Sequence, residues 1–166
     1  MYNIENIKTV HLEITSKCQA SCPMCVRNLH GGIENPWLEL DEITLKQFKH
    51  WFPVEFIQQL GRLYMCGNTG DPIVAKDTLN IFRYLREVNP SIELSMNTNG
   101  SARDSKWWYT LAKLKVRVVF GIDGLEDTHS LYRIGTDFDK IIDNAYTFIQ
   151  AGGIAEWHML VFEHNA

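Results

Sequence analysis

The sequence predicts an α/β fold in which a parallel sheet is threaded by helical crossovers. Short strand-like apolar runs alternate with longer runs whose apolar residues recur at helical spacing, in the order β-α-β-α-β-α-β-α-β. Each strand-like run ends in a segment rich in cysteine, glycine, amide or acidic residues. Regular alternation calls for right-handed crossovers, which bring all the strand carboxyl ends to one rim, where folds of this class bind ligands.

The first strand spans Lys8–Thr15, with Val10, Leu12 and Ile14 on one face and His11, Glu13 and Thr15 on the other. A cysteine-rich loop, Lys17–Val26, follows, then a connection, Arg27–Leu40, that is long for a compact domain. Thr44-Leu45-Lys46-Gln47 reads as a capping box, with Ile43 and Phe48 as a hydrophobic staple. Pro53 interrupts the helix it opens, and a second short piece covers Val54–Gln59. The second strand, Arg62–Cys66, ends in Gly67–Pro72, and Cys66 is expected as a small buried residue.

Asp77 is placed to cap the next helix, where Leu79, Phe82 and Leu85 share a face before Pro90. The third strand, Ile92–Met96, ends in Asn97-Thr98-Asn99-Gly100. Asp104 then caps a helix carrying Trp107, Trp108, Leu111 and Leu114, the tryptophans being expected to pack. The fourth strand, Val116–Ile122, ends in Asp123-Gly124. Thr136-Asp137-Phe138-Asp139 is a second capping-box pattern, followed by Phe138, Ile141, Ile142, Ala145, Phe148 and Ile149 at helical spacing. Gly152-Gly153 stops that helix, and the fifth strand covers Ala155–Phe162.

With 166 residues and no repeat or linker, residues 1–166 read as one domain with a real core. The net charge of −4 without a basic cluster argues against a nucleic-acid backbone as main partner. No apolar run reaches membrane-spanning length, and Met1–Asn6 lacks the features of a signal peptide. A cytoplasmic protein is expected, where thiols stay reduced and clustered cysteines serve metal or cofactor chemistry.

Cys18, Cys22 and Cys25 fall within eight residues directly after the first strand. Three thiolates suit a soft metal or an iron–sulfur cluster. A structural zinc site needs a fourth ligand, for which His30 and Cys66 are the candidates. A four-iron cluster on three thiolates leaves one iron open to a small molecule.

Cys18-X3-Cys22-X2-Cys25 resembles the cluster motif of the radical S-adenosylmethionine (radical SAM) superfamily. Gly67-Asn68-Thr69-Gly70-Asp71-Pro72 is similar to that family's Gly-Gly-Glu-Pro segment, and Thr98-Asn99-Gly100 to its Thr-Asn-Gly segment. Gly121-Ile122-Asp123-Gly124, with His129 and Arg133 beyond it, resembles the Ser-X-Asp-Gly...His...Arg pattern. The resemblance covers essentially the whole chain. It implies a partial (β/α) barrel of parallel strands, with about five of the usual six β/α units and an apparent truncation after the fifth strand.

It further implies that Cys18, Cys22 and Cys25 bind a [4Fe-4S] cluster whose open iron takes S-adenosylmethionine (AdoMet), cleaved by an electron to a hydrogen-abstracting radical. Gly67, Asn68 and Gly70 would offer backbone groups to the methionine amine, with Asp71 nearby. Arg133 would pair with the methionine carboxylate, and Asn99 and Asp123 would contact ribose or substrate. The chain departs from the pattern at three positions. Met24 stands where an aromatic residue often faces the adenine, Asp71 where glutamate is usual, and Gly121 where serine is usual.

In a barrel the residues alternating with the core would line the lumen, and His11, Glu13, Tyr64 and His158 are expected to shape a substrate pocket. The expected partners are a small-molecule or peptide substrate, an external electron donor and a second chain completing the barrel. The rival readings are an iron–sulfur electron-transfer module without radical chemistry and a zinc-stabilised structural domain.

Overall fold

The computed structural model of the chain describes residues 3–29 and 32–166, so His30 lies outside the described residues. After a 3-10 turn at Ile4–Asn6, the first strand is β1 (Thr9–His11). A small hairpin follows, β2 (Asn28–Leu29) and β3 (Ile33–Glu34), then α1 (Leu45–Trp51) and α2 (Val54–Gln59). The chain continues through β4 (Arg62–Met65), α3 (Thr78–Val88), β5 (Glu93–Thr98), α4 (Ser105–Lys113) and β6 (Val116–Gly121). It ends with α5 (His129–Tyr132), α6 (Phe138–Gln150) and β7 (Ile154–His158).

Strands β1-β4-β5-β6-β7 form one sheet in that order, every pairing parallel, as in a partial (β/α) barrel. The register sets His11, Tyr64, Ser95, Arg117 and Ile154 in one row across the sheet. Alternation then sends Leu63, Met65, Leu94, Met96, Val118 and Phe120 to the opposite face, where all are buried against the helices. Trp108 lies at the centre of that layer, tilted on Phe120 and edge-on to Phe148, with its indole N–H given to the Ala102 carbonyl at 3.0 Å. Truncating a fully buried ring of this kind costs about 3–5 kcal/mol.

The capping signals act mostly where the sequence places them. Thr44 and Gln47 close a reciprocal box, and Pro53 stands as the N-cap between α1 and α2. Asp104 accepts from the Trp107 N–H. Asp77 behaves differently. It makes no side-chain cap on α3; one oxygen accepts from the Leu45 N–H at 2.8 Å, so it caps α1 from a distance. The cap of α6 is Asp137, accepting from the Lys140 N–H, while the Thr136 hydroxyl donates to the Arg133 carbonyl. Ile142 and Ile149 face outward on α6; its buried face is Ile141, Asn144 and Phe148.

Three further expectations are corrected. The first strand is shorter, because beyond His11 the chain leaves β4 to bridge Thr15 with Glu42. The connection Arg27–Leu40 contains the β2–β3 hairpin, anchored by the buried Arg27 on Glu34 at 2.8 Å. The fifth strand ends at His158, because the Leu160 N–H turns to the Asp123 carboxylate at 2.6 Å. No helix among the described residues is long and apolar enough to cross a membrane.

Candidate functional site

The cysteine loop leaves the rim of β1 and is tied at several points. The Cys25 N–H donates to the Cys22 carbonyl at 3.0 Å, and the Asn28 side chain donates to that same carbonyl at 3.0 Å. The Ser21 N–H donates to the Ile134 carbonyl at 2.8 Å. At the Cys18 sulfur, the Ala20 N–H approaches to 3.4 Å and the Asn99 amide to 3.6 Å. The Gln19 amide donates to the Asn99 carbonyl oxygen at 2.7 Å, so loop and β5 terminus are clamped side chain to side chain. Burial, helped by the nearby Asp71, pushes the Cys18 thiol up to about 11. Burial also raises Cys22, with Arg133 opposing. Each thiol must therefore release its proton when it takes a metal.

The glycine turn after β4 lies against this loop. A Cβ on Gly70 would stand 2.1 Å from the Thr15 carbonyl oxygen, a backbone atom that cannot step aside, so only glycine fits. The Asp71 N–H donates to the Lys17 carbonyl at 2.9 Å. Asp71 itself is buried, and its carboxylate accepts from the Thr98 hydroxyl, the Asn99 N–H and the Ile73 N–H at 2.8–3.0 Å. Three segments (the cysteine loop, the glycine turn and the amide turn of β5) thus meet on one aspartate.

Asp123 plays a similar part at the end of β6. Its carboxylate pairs with Arg133 and accepts from Leu160 N–H, and its carbonyl accepts from the Asn165 amide at 3.0 Å. The buried His129 accepts the Asp123 N–H at Nδ1 and faces the Thr136 hydroxyl through Nε2 at 3.0 Å, which fixes the neutral tautomer protonated at Nε2. Burial, and then Arg133, hold His129 below its usual value. Arg133 uses only Nε on Asp123; its terminal nitrogens lie over Gly121, where a Cβ would stand 2.5 Å from Nη2.

Among the cavities on this rim, two adjoin one another. A chamber of ≈ 240 Å³ takes its walls from Cys18, Cys22 and Cys25 together with the glycine turn, Tyr132 and Arg133. A larger one of ≈ 560 Å³ runs over β5, β6 and β7. The two share Gly67, Gly70, Asp71, Asn99 and Arg133. Among the described residues no three His, Cys, Asp or Glu side chains converge tightly enough to grip a single ion. Three thiols lining one chamber are a soft donor set, which suits a sulfur-bridged iron group.

A family model for the radical SAM superfamily matches residues 12–162. The chain belongs to the radical SAM superfamily. Among solved structures with the same fold is native anSMEcpe with bound AdoMet, with a TM-score of 0.65 and 22% identity over 91% of this chain and 43% of that one. Methylornithine synthase (PylB) matches with a TM-score of 0.66 and 14% identity over 92% of this chain and 44% of that one. BtrN in complex with AdoMet and 2-DOIA matches with a TM-score of 0.62 and 17% identity over 92% of this chain and 57% of that one. The chain thus spans 43–57% of the length of these radical SAM proteins.

Within the radical SAM frame, the motif residues fall into two groups. Cys18, Cys22, Cys25, Gly67, Asn68, Gly70 and Arg133 line the three-cysteine chamber. Asp71 and Asn99 line both cavities and Asp123 the larger one, but their polar atoms are already engaged inside the protein. Met24 is 76% exposed and lines neither cavity.

Of the expected substrate residues, His158 lines the larger cavity; His11, Glu13 and Tyr64 do not, and instead form an array on β1, the segment just after it and β4. Cys66, expected to be buried, is half-exposed and lines the larger cavity, with the Asn97 amide 3.7 Å from its sulfur. Its alternation with Arg62 and Tyr64 carries that signal in the sequence. Trp157, Met159 and Leu160, which form the apolar wall of the cavity, read only as strand residues.

Proposed function

We propose that this chain is the catalytic core of a radical SAM enzyme acting on a small-molecule or peptide substrate. The observation that carries this reading is the shared wall between the three-cysteine chamber and the larger cavity. Cys18, Cys22 and Cys25 would hold a [4Fe-4S] cluster. Such a cluster would supply the one electron that cleaves the C5′–S bond of AdoMet to methionine and a 5′-deoxyadenosyl radical, which would take hydrogen from substrate.

The chain's own residues bind, orient and exclude water. Backbone groups of Gly67, Asn68 and Gly70 receive the methionine amine. The terminal nitrogens of Arg133 receive the carboxylate, with Nε held by Asp123 so that the guanidinium cannot swing away. Asp71, Asn99 and Asp123 act by bracing the loops that carry these contacts. Met24 has room to fold over the site only by leaving its exposed position. Val119, Trp157, Met159 and Leu160 give the larger cavity a water-poor wall, and His158 gives it a polar one. The reading calls for an external one-electron donor and a reducing compartment such as the cytoplasm, and leaves the β7 edge to a further strand of the same or another chain.

Anaerobic reconstitution with iron and sulfide, followed by dithionite and AdoMet, tests it. The expected result is a brown protein that forms 5′-deoxyadenosine. Brown protein without that nucleoside would favour an electron-transfer module, and colourless protein with bound zinc a structural domain.

A further inference from the structure

We propose that Glu13 is a positioning residue that fixes the glycine turn after β4, and through it the place of the AdoMet amine. This rests on the AdoMet reading above. The Asn68 N–H points between the two carboxylate oxygens of Glu13, 3.1 Å from Oε2 and 3.3 Å from Oε1. The same N–H lies 3.1 Å from the Cys66 carbonyl, a contact local to the turn that ties it to nothing outside.

The far end of the turn is fastened to the continuation of β1 through backbone, with Gly70 packed on the Thr15 carbonyl and the Asp71 N–H on Lys17, and to the end of β5 through the Asp71 carboxylate. At the near end, Glu13 supplies a side-chain grip. Both ends of the turn are therefore fastened to the continuation of β1, the far end through backbone groups and the near end through the Glu13 side chain.

Glu13 is in turn held from behind. His11 Nε2 lies 2.7 Å from Oε1 and 3.5 Å from the Cys66 carbonyl, so its Nε2–H is shared between the two. The imidazole stacks on Tyr64 at 4.7 Å between centroids and 11° between planes. Arg62 stands over that ring at 5.1 Å, a cation–π contact that steadies it. The row Arg62, Tyr64, His11, Glu13 thus ends on one backbone amide of the turn. Glu13 and His11 are each about one-third exposed, so they fill no core space that would explain their placement. Neither lines the larger cavity, which sets them apart from His158.

A glutamine at this position keeps an acceptor for Asn68, and an alanine keeps none. In reconstituted protein, Glu13→Ala is expected to weaken AdoMet binding about tenfold, as for the loss of a hydrogen bond to a charged acceptor. Glu13→Gln is expected to stay within about threefold, and both variants to load wild-type iron. Equilibrium dialysis measures the affinity, and amide hydrogen exchange of residues 66–71 is read in parallel without AdoMet.

Exchange of that segment is expected to quicken about tenfold in Glu13→Ala and not in Glu13→Gln, with residues 18–28 unchanged. Unchanged exchange or unchanged affinity in Glu13→Ala would overturn the proposal, as would Glu13→Gln behaving like Glu13→Ala. If the wild-type protein failed to bind AdoMet, the functional reading would fall. Exchange would then decide on its own whether Glu13 fixes the turn.

Discussion

The Arg133 guanidinium occupies the space that a side chain on Gly121 would need. Gly121→Ala pushes against a guanidinium that Asp123 holds at Nε, so the pair must shift with it and the overpacking is expected to cost about 1–3 kcal/mol. The displaced guanidinium should lower AdoMet affinity of the reconstituted protein about tenfold. Calorimetric titration beside thermal unfolding separates the two effects, and an unaltered affinity would disconnect Arg133 from the cofactor.

Gly70 is crowded by backbone instead. A methyl group there meets the Thr15 backbone, so Gly70→Ala is expected to cost about 1–3 kcal/mol in urea denaturation. Gly61→Ala serves as the control. Its Cβ would sit 3.6 Å from the Lys8 carbonyl, an ordinary contact, and its effect should stay within about 0.5 kcal/mol.

His129 makes stability depend on pH. Its folded value lies below 6.5 because burial, reinforced by Arg133, favours the neutral ring. In the unfolded chain the ring takes a proton near 6.5, so below that pH the unfolded state binds more protons. The stabilisation is complete above about 6.5 and drains away as pH falls through the depressed folded value. Its slope is at most about 1.4 kcal/mol per pH unit. Thermal melts from pH 8 down to 5 should show this decline, and His129→Gln should flatten it. An equal slope in the variant would assign the decline to other groups.

His158 should separate chemistry from cleavage. It lines the larger cavity and stands 3.7 Å from Glu156, which also pairs with Arg117 at 2.6 Å. His158→Ala is expected to leave AdoMet affinity within about twofold, and to raise the ratio of 5′-deoxyadenosine formed to substrate consumed severalfold. Unchanged coupling with the physiological substrate would remove His158 from the pocket.

The alternation of strand and helix was readable because each element carries one apolar face, and the parallel order follows from it. Local signals misled where tertiary partners compete. Asp77 has the right residue type one position before a helix, yet the orphan Leu45 N–H of α1 takes its carboxylate. Thr136 begins a capping-box pattern, yet its hydroxyl is drawn to Arg133 and His129, leaving the cap to Asp137.

The cysteines, the glycine turn and Arg133 were legible from motif and order. Their wiring was not. Gln19 carries no pattern of its own, and its clamp on Asn99 joins positions 80 residues apart. Asp71 and Asn99 stand out by residue type, but only the fold reveals that their polar atoms are turned inward.

The meeting of three segments on Asp71 also decides how molecules enter. With the cysteine loop fastened to the Asp71 N–H and the end of β5 to its buried carboxylate, that side of the rim has no door that swings separately. Traffic into the larger cavity must pass the other side, where Trp157, Met159 and Leu160 are exposed and Leu160 hangs from Asp123. Whatever comes to rest along β7 therefore guards the threshold of the larger cavity.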